Sequence, residues 1–191
     1  MVGVDISSRM SQITADSGHY AYVACCDAAQ AVQTFAPADS LMSPVRVLHM
    51  VVAADTFIYL GPLRAFFAAA AAALCSGGLL VFSIENLAKS TMRVRQTTAT
   101  AAGAGGQEAE TENGVLLGHV GLDLDAAVPG WGGELLSSSR HAHSPEYVAA
   151  LAAAHGFTTL AMQEVVLRTE STLEIQGLMY VLSLSQVVSP V

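Results

Sequence analysis

The feature that most constrains the fold of this chain is a pair of apolar runs flanking an alanine-rich segment. The first run, Val47 to Ala54, ends at Asp55, and the second, Leu79 to Ile84, ends at Glu85. The segment between them, Arg64 to Leu74, has the composition of a helix. A strand, a helix and a strand joined by short connections form a βαβ unit with two parallel strands. Ligands of such sheets bind at the carboxyl ends of the strands, so the sequence predicts a small-molecule site there.

Composition and charge exclude several classes of protein. Of 191 residues, 52% are apolar and only 13% are charged, which is typical of a globular domain with a large core. The net charge is −8 and Lys89 is the only lysine, so no cluster of cations is available to bind nucleic acid. The longest apolar stretch, Phe66 to Cys75, is about half the length that crosses a membrane. Three cysteines without a pairing pattern predict a reduced, cytoplasmic protein.

Two more apolar runs lie upstream of the central unit. Met1 to Ile6 contains Asp5 near its end, and Tyr20 to Cys26 leads directly into Asp27. Each run is predicted to be a buried strand, and a serine-capped helix separates the two. These two acids therefore also fall at the ends of predicted strands.

The C-terminal part of the chain predicts a helix and then a hairpin. Ser144 is a favourable cap for a helix that runs from Pro145 to His155, and Gly156 ends it. The runs Phe157 to Arg168 and Leu178 to Leu184 are predicted strands whose short connection favours antiparallel pairing. The predicted fold class is α/β, a mainly parallel sheet with an antiparallel C-terminal hairpin. The segment 97–114 has no apolar periodicity and is predicted to be a mobile insertion.

Several motifs, taken in order, are similar to those of one enzyme family. They are Gly3-Val-Asp-Ile-Ser, Cys26-Asp-Ala, Ala53-Ala-Asp-Thr-Phe-Ile-Tyr-Leu-Gly, Ser76-Gly-Gly-Leu-Leu-Val-Phe-Ser-Ile-Glu and Ser139-Arg-His-Ala-His-Ser-Pro-Glu-Tyr. They resemble class I S-adenosylmethionine-dependent methyltransferases, and more narrowly the small-molecule type often found beside tetratricopeptide repeats. The resemblance implies a Rossmann-like sheet over residues 1–191, S-adenosyl-L-methionine as cofactor, and a small-molecule or protein acceptor.

The resemblance also implies a set of cofactor-binding residues at the first two strand ends. Asp5 is in the position of the acid that accepts hydrogen bonds from both ribose hydroxyls. Ile6 and Met10 would cover the adenine with apolar surface. Asp27 would accept from the adenine amino group, with Ala28 offering a backbone donor nearby.

The same resemblance places further residues at the methionine and acceptor end. Asp55 ends the strand that faces this part of the cofactor, and Tyr59 would help to shape the acceptor mouth. Arg140 and His143 are candidate acceptor contacts, while plain hydrogen bonding within a loop is the alternative for both. The resemblance assigns no catalytic acid or base.

Structural roles remain open for these side chains. Asp5, Asp27 and Asp55 are equally suited to cap the helices that follow their strands. His141 and His143 are two residues apart, which puts both on one face of a strand, but no further cluster of metal ligands accompanies them. The sequence therefore predicts no metal site.

The sequence departs from the family at its N-terminus. The chain begins at what resembles the second strand, so the first strand and its glycine-rich loop are absent from it. We expect such a chain, without a further N-terminal segment or partner strand, to bind the cofactor weakly and to be impaired in methyl transfer. The alternatives are a non-catalytic remnant that serves as an interaction module and a nicotinamide-dependent oxidoreductase.

Overall fold

A computed structural model describes residues 1–36, 47–90, 132–136, 138–170 and 172–185. The insertion predicted at 97–114 lies outside these residues. Among the described residues, no helix combines the length and apolarity needed to cross a membrane.

The N-terminal part forms two short parallel strands, each followed by a helix. Strand β1 (Val2–Asp5) leads to α1 (Ser8–Asp16), and β2 (Tyr22–Cys25) leads to α2 (Ala28–Gln33). A serine caps α1, as the sequence predicts for Ser7 or Ser8: the Ser7 hydroxyl accepts a hydrogen bond from a backbone N–H of the first turn.

The central βαβ unit is confirmed. Strand β3 (Leu48–Ala53) is followed by a single 3₁₀ turn (Phe57–Tyr59), then by α3 (Arg64–Ala73) and β4 (Leu74–Asn86). β3 and β4 are parallel. β4 starts five residues earlier than the apolar run alone predicts, because Leu74 already pairs with Leu48 before an irregularity in the register.

The described residues from 132 onward form four strands and a helix. These are β5 (Gly133–Leu135), β6 (His141–His143), α4 (Pro145–Ala154), β7 (Phe157–Glu170) and β8 (Leu173–Leu184). The Ser144 hydroxyl caps α4, and Gly156 follows the helix at φ 75°, as the sequence predicts. The hairpin is antiparallel as predicted, but both of its strands are longer than the apolar runs.

Among the described residues, β4 is the centre of a six-stranded sheet: five strands follow the order β5-β6-β4-β8-β7, and β3 also pairs with β4. β8 lies along one side of β4, while β3 and β6 follow one another along the other side. Three pairings are parallel and three are antiparallel, the parallel pair β1–β2 included. The sheet is therefore mixed, and the prediction of a mainly parallel sheet overstated its parallel part.

The core lies between the large sheet and helices α3 and α4, and aromatic rings fill its centre. The Phe57 ring packs 4.9 Å from both the Phe66 ring and the Phe82 ring. Phe82 also stacks on Tyr180 of β8 at 5.1 Å, which ties α3, β4 and β8 together.

The pair β1–β2 forms a separate sheet. Among the described residues, no backbone pairing joins it to β3 or to any other strand of the large sheet. The link is made by helices, because Val32 of α2 belongs to the same core cluster as α3, and Ala28 and Ala29 pack against it. Apolar side chains remain exposed on β1 and β3: Val2, Val4, Met50 and Val52.

Candidate functional site

The carboxyl ends of β1 and β2 bring the first group of predicted residues to one edge of the small sheet. Asp5 is the register partner of Cys25 in this parallel pair. Asp27 follows Cys25 by two residues, so both acids leave neighbouring strands at the same edge. Both are half-buried.

The Asp5 carboxylate is tied to the turn that follows β1. Its Oδ1 accepts a hydrogen bond from the Ser7 backbone N–H at 2.7 Å. The backbone carbonyl of Asp5 accepts from the Ser11 hydroxyl at 3.1 Å. A carboxylate has about four acceptor positions, so this turn leaves capacity for a ligand's hydroxyl groups.

Asp27 caps α2, as the structural alternative for this residue predicts. Its Oδ1 accepts from the Gln30 backbone N–H at 3.0 Å. The second carboxylate oxygen has no hydrogen bond from the described residues. Ala28 begins α2, so its N–H has no acceptor within the helix.

Two apolar side chains stand beside Asp5 without being covered. Ile6 is 77% exposed and Met10 is 47% exposed. Both follow β1 at the edge that carries the two acids. They offer apolar surface that a flat ring could cover.

Asp55 lies at the corresponding edge of the large sheet. Its backbone has φ 50°, in the left-handed region that few residues other than glycine, asparagine and aspartate adopt. Its backbone N–H donates to the Ser83 hydroxyl at 2.9 Å, which joins the end of β3 to β4. Tyr59, in the 3₁₀ turn that follows, is exposed. Asp55 thus leaves β3 in a fixed, unusual conformation with its carboxylate directed away from the core.

A group of five charged side chains surrounds this end of β4; we call it the charge cluster. Its members are Asp55, Glu85, Arg140, Arg168 and Glu170. Arg168 Nη2 donates to Glu85 Oε2 at 2.8 Å, and Arg168 Nε donates to Glu170 Oε1 at 2.7 Å. Arg168 Nη1 lies 3.6 Å from Asp55 Oδ1.

The centre of the charge cluster, Glu85 with Arg168, is withdrawn from water, whereas Asp55 is half exposed. Glu85 is 3% exposed and also accepts from the Ser90 hydroxyl at 3.0 Å. Burial disfavours the charge on Arg168, but the hydrogen bonds and charges of Glu170 and Glu85 outweigh it and raise the pKa of the guanidinium. Sequence reasoning missed Arg168 and Glu170. The signal for them was Glu85 itself, because an acid buried at the end of an apolar strand needs a cation.

Arg140 and His143 occupy different environments. Arg140 Nη1 donates to Glu170 Oε1 at 2.6 Å, so it belongs to the charge cluster. His143 is fully buried, and its Nε2 lies 2.9 Å from the Gly61 carbonyl oxygen. Burial lowers the pKa of His143, and the neighbouring His141 adds to this effect, although the hydrogen bond to Gly61 opposes it. The described contacts of His143 are structural, and an acceptor contact by either residue stays a prediction.

The predicted residues therefore fall into two groups. Asp5, Ile6, Met10, Asp27 and Ala28 meet at the edge of the small sheet. Asp55, Tyr59, Arg140 and His143 belong to the large sheet and its connections. No group of three or more His, Cys, Asp or Glu side chains in the described part of the chain could hold a metal ion.

No protein-family model matches this chain, and no curated protein matches it by sequence. Several solved structures do match it in three dimensions. A methyltransferase from Methanosarcina mazei, described as S-adenosylmethionine-dependent, matches with a TM-score of 0.59 at 12% identity, over 96% of this chain and 81% of that chain.

Two further structures share this likeness. A possible histamine N-methyltransferase from Thermotoga maritima matches with a TM-score of 0.54 at 14% identity, over 97% of this chain and 72% of that chain. Magnesium protoporphyrin IX methyltransferase from Synechocystis, with bound S-adenosylhomocysteine, matches with a TM-score of 0.54 at 12% identity, over 96% of this chain and 64% of that chain. The chain therefore has a methyltransferase-like α/β fold with a mixed sheet. None of these structures supports the nicotinamide alternative.

Proposed function

We propose that this chain binds S-adenosylmethionine at the carboxyl edges of β1, β2 and β3, and that its function is methyl transfer to an acceptor. The observation that supports this most is the meeting of Asp5 and Asp27 at one edge of parallel strands in a methyltransferase-like fold. Each acid keeps an oxygen beyond the one that its own turn uses. The narrower assignment, a small-molecule enzyme of the type found beside tetratricopeptide repeats, rests on the sequence motifs alone.

The nucleoside half of the cofactor fits the small sheet. Asp5 is placed to accept from the ribose hydroxyls, and Asp27 to accept from the adenine amino group. Charge-assisted hydrogen bonds of this kind are about twice as strong as neutral ones. Ile6 and Met10 would bury exposed apolar area against the adenine face, at about 25 cal/mol per Å².

The methionine half and the acceptor fit the large sheet. When bound, the cofactor supplies an electrophilic methyl group on sulfur. Asp55 and Tyr59 border the place where that group would lie. Arg140 lies nearby, and its hydrogen bond to Glu170 fixes the position of the Arg140 side chain. The protein's part is then mainly to hold donor and acceptor in line, at about 3–3.5 Å between the reacting atoms.

We further propose that the chain on its own binds the cofactor weakly. The two groups of residues belong to sheets that share no backbone pairing among the described residues. The nucleoside contacts can therefore form while the methionine half is held poorly. A non-catalytic remnant that still binds the nucleoside is the second candidate function, favoured by the same separation of the sheets.

Nuclear magnetic resonance titration of the chain with S-adenosylhomocysteine and with adenosine tests this proposal. We expect both ligands to shift the backbone amides near Asp5, Met10 and Asp27, and S-adenosylhomocysteine alone to shift those near Asp55 as well, with millimolar rather than micromolar affinity for both ligands. Asp5→Ala should abolish the shifts. Asp16→Ala is the matched control, since Asp16 ends the helix that follows β1 and its carboxylate accepts a hydrogen bond from the Gln12 side chain.

Two results would overturn the proposal. One is the absence of localised shifts at ligand concentrations about 5–10 times the expected millimolar dissociation constant. The other is an equal effect of Asp5→Ala and Asp16→Ala on the shifts. Binding without any methyl transfer to a panel of amines, phenols and carboxylates would favour the remnant. Micromolar affinity of the unmodified chain would refute only the proposal of weak binding.

A further inference from the structure

Arg168 stands at the centre of the charge cluster and faces three carboxylates with three different nitrogens. Nε reaches Glu170 at 2.7 Å and Nη2 reaches Glu85 at 2.8 Å. Nη1 faces Asp55 Oδ1 at 3.6 Å and has no hydrogen-bond partner among the described residues. One guanidinium group therefore connects the ends of β3, β4 and β7.

Two of these contacts fix the guanidinium, and the third acts on Asp55. The Arg168 side chain is 17% exposed and that of Glu85 is 4% exposed, so this pair is shielded from solvent and its geometry is fixed. The Asp55 side chain is 54% exposed. Arg168 is thus the anchored partner, and Asp55 is the one that can respond to a ligand.

Asp55 is also constrained through its backbone. The bond from its N–H to Ser83 and its φ of 50° set the direction in which the side chain leaves β3. A carboxylate that is fixed at its backbone still rotates about its side-chain bonds. The charge of Arg168 at 3.6 Å favours the rotamer that turns the carboxylate toward β7.

We propose that Arg168 is a positioning residue of the methyl-transfer site: it holds the Asp55 carboxylate in the orientation that receives the amino-acid half of the cofactor. This inference rests on the proposed function and extends it. The ammonium group of that half is a cation, so a carboxylate held at this edge attracts it. Adenosine lacks the amino-acid half and should not sense the orientation of Asp55.

The three directions of contact require arginine. The guanidinium is a rigid fork with donors on three sides, whereas the lysine ammonium is a single point charge on a flexible stem. Arg168→Lys keeps a positive charge near the buried Glu85 and should preserve the fold. It should lose the simultaneous contacts with Asp55 and Glu170.

The test is a double-mutant cycle on ligand affinity, with Arg168→Lys, Asp55→Asn and the double variant. Asparagine tolerates a positive φ, so Asp55→Asn removes the charge and keeps the backbone. We expect Arg168→Lys and Asp55→Asn each to weaken S-adenosylhomocysteine binding by about fivefold. The double variant should be no weaker than either single variant, because the two residues act through one contact.

Two controls separate this role from a purely structural one. Adenosine affinity should stay within twofold in all three variants. Lys89→Met removes another ion pair of β7, that of Lys89 with Glu164 at 2.7 Å, and should leave both affinities unchanged. Should Arg168→Lys fold poorly, Arg168→Met combined with Glu85→Gln removes the buried pair together and leaves no unpaired buried charge.

Each outcome has one meaning. If the unaltered chain binds neither adenosine nor S-adenosylhomocysteine, the proposed function is refuted. With adenosine binding intact, multiplicative effects of Arg168→Lys and Asp55→Asn in the double variant would refute the positioning role. An equal loss of adenosine and S-adenosylhomocysteine affinity in Arg168→Lys would refute it as well.

Discussion

Tyr180 carries a buried hydroxyl group that has no hydrogen-bond partner among the described residues. The side chain is 3% exposed, and its ring stacks on Phe82. Burial raises the pKa of Tyr180 to about 12, and the charge of Glu146 adds to this effect. The ring contributes packing, whereas the hydroxyl contributes only a desolvation cost.

Tyr180→Phe should therefore stabilise the protein, in contrast to most core substitutions. Removing an unsatisfied buried polar group recovers about 1 kcal/mol, the lower end of its desolvation cost. Urea unfolding measures this directly. Tyr147→Phe is the contrasting variant, because the Tyr147 hydroxyl accepts from the Leu63 backbone N–H at 2.8 Å and its loss should destabilise the fold. A loss of stability in Tyr180→Phe would mean that the hydroxyl has a partner.

Three histidines make stability depend on pH. Burial lowers the pKa of His141, His143 and His155 below the ordinary value of 6.5. In the unfolded chain these groups take up protons as the pH falls through about 6.5, while in the folded chain they resist protonation. Stability is therefore complete above about pH 7.5 and falls as the pH decreases toward 5.5.

Urea unfolding at pH 7.5 and 5.5 tests this dependence across the ordinary titration range of histidine. His143→Gln keeps an amide donor for the Gly61 carbonyl and should reduce the loss of stability. His19→Gln alters an exposed histidine and should leave the decrease in the free energy of unfolding between the two pH values unchanged. Equal free energies of unfolding at the two pH values would contradict the expectation.

Single residues could be predicted where the chemistry is local. Asp27 and Ser144 cap their helices as their positions predict, because a cap needs only the few residues that follow it. Arg168 could not be assigned, since its partners Glu85 and Asp55 lie 83 and 113 positions away along the chain (168 − 85 and 168 − 55). Their contact depends on the pairing of strands.

At the scale of elements, the tightest contact is between β8 and β4. Gly177 lies opposite Glu85 in this antiparallel pair. A Cβ atom there would lie 2.5 Å from the Ile84 carbonyl oxygen and from the Leu167 side chain. Only glycine lets the two backbones approach so closely next to the charge cluster.

Gly177→Ala should accordingly destabilise the protein by about 1–3 kcal/mol, the usual cost of overpacking. Thermal unfolding measures the loss. Gly61→Ala is the matched control: its new Cβ would meet His141 at 3.5 Å, an ordinary contact, and the effect should be small. Similar unfolding temperatures for the two variants would show that β8 can shift to make room.

The order and type of the elements could be predicted because apolar runs, caps and turns are local. β1, β2, β3 and the C-terminal hairpin all follow from them. The mixed character of the sheet could not, because the short strands β5 and β6 carry three residues each and pair antiparallel with one another. Three residues are too few for a periodic pattern to predict a strand or its partner.

At the scale of the molecule, the described residues form two sheets that are joined through helices. Within the described part of the chain, β1 pairs with one strand of four residues, whereas β4 is paired on both sides. Backbone amides of β1 should exchange with deuterium at least about tenfold faster than those of β4 between Leu79 and Glu85. Hydrogen-exchange mass spectrometry resolves the two segments. Equal protection would mean that the small sheet opens only when the whole protein unfolds.

The separate small sheet also determines how the protein yields to tension. A pull on Met1 acts on residues 1–36, which pack against the rest through side chains of α2 and α3. In the described part of the chain, no backbone hydrogen bonds between the two sheets oppose this pull. Stretched from its two ends in an optical trap, the chain should therefore lengthen in two steps. The first step, at low force, should release about 120 Å of contour, the extended length of 36 residues. The large sheet should then rupture at a distinctly higher force.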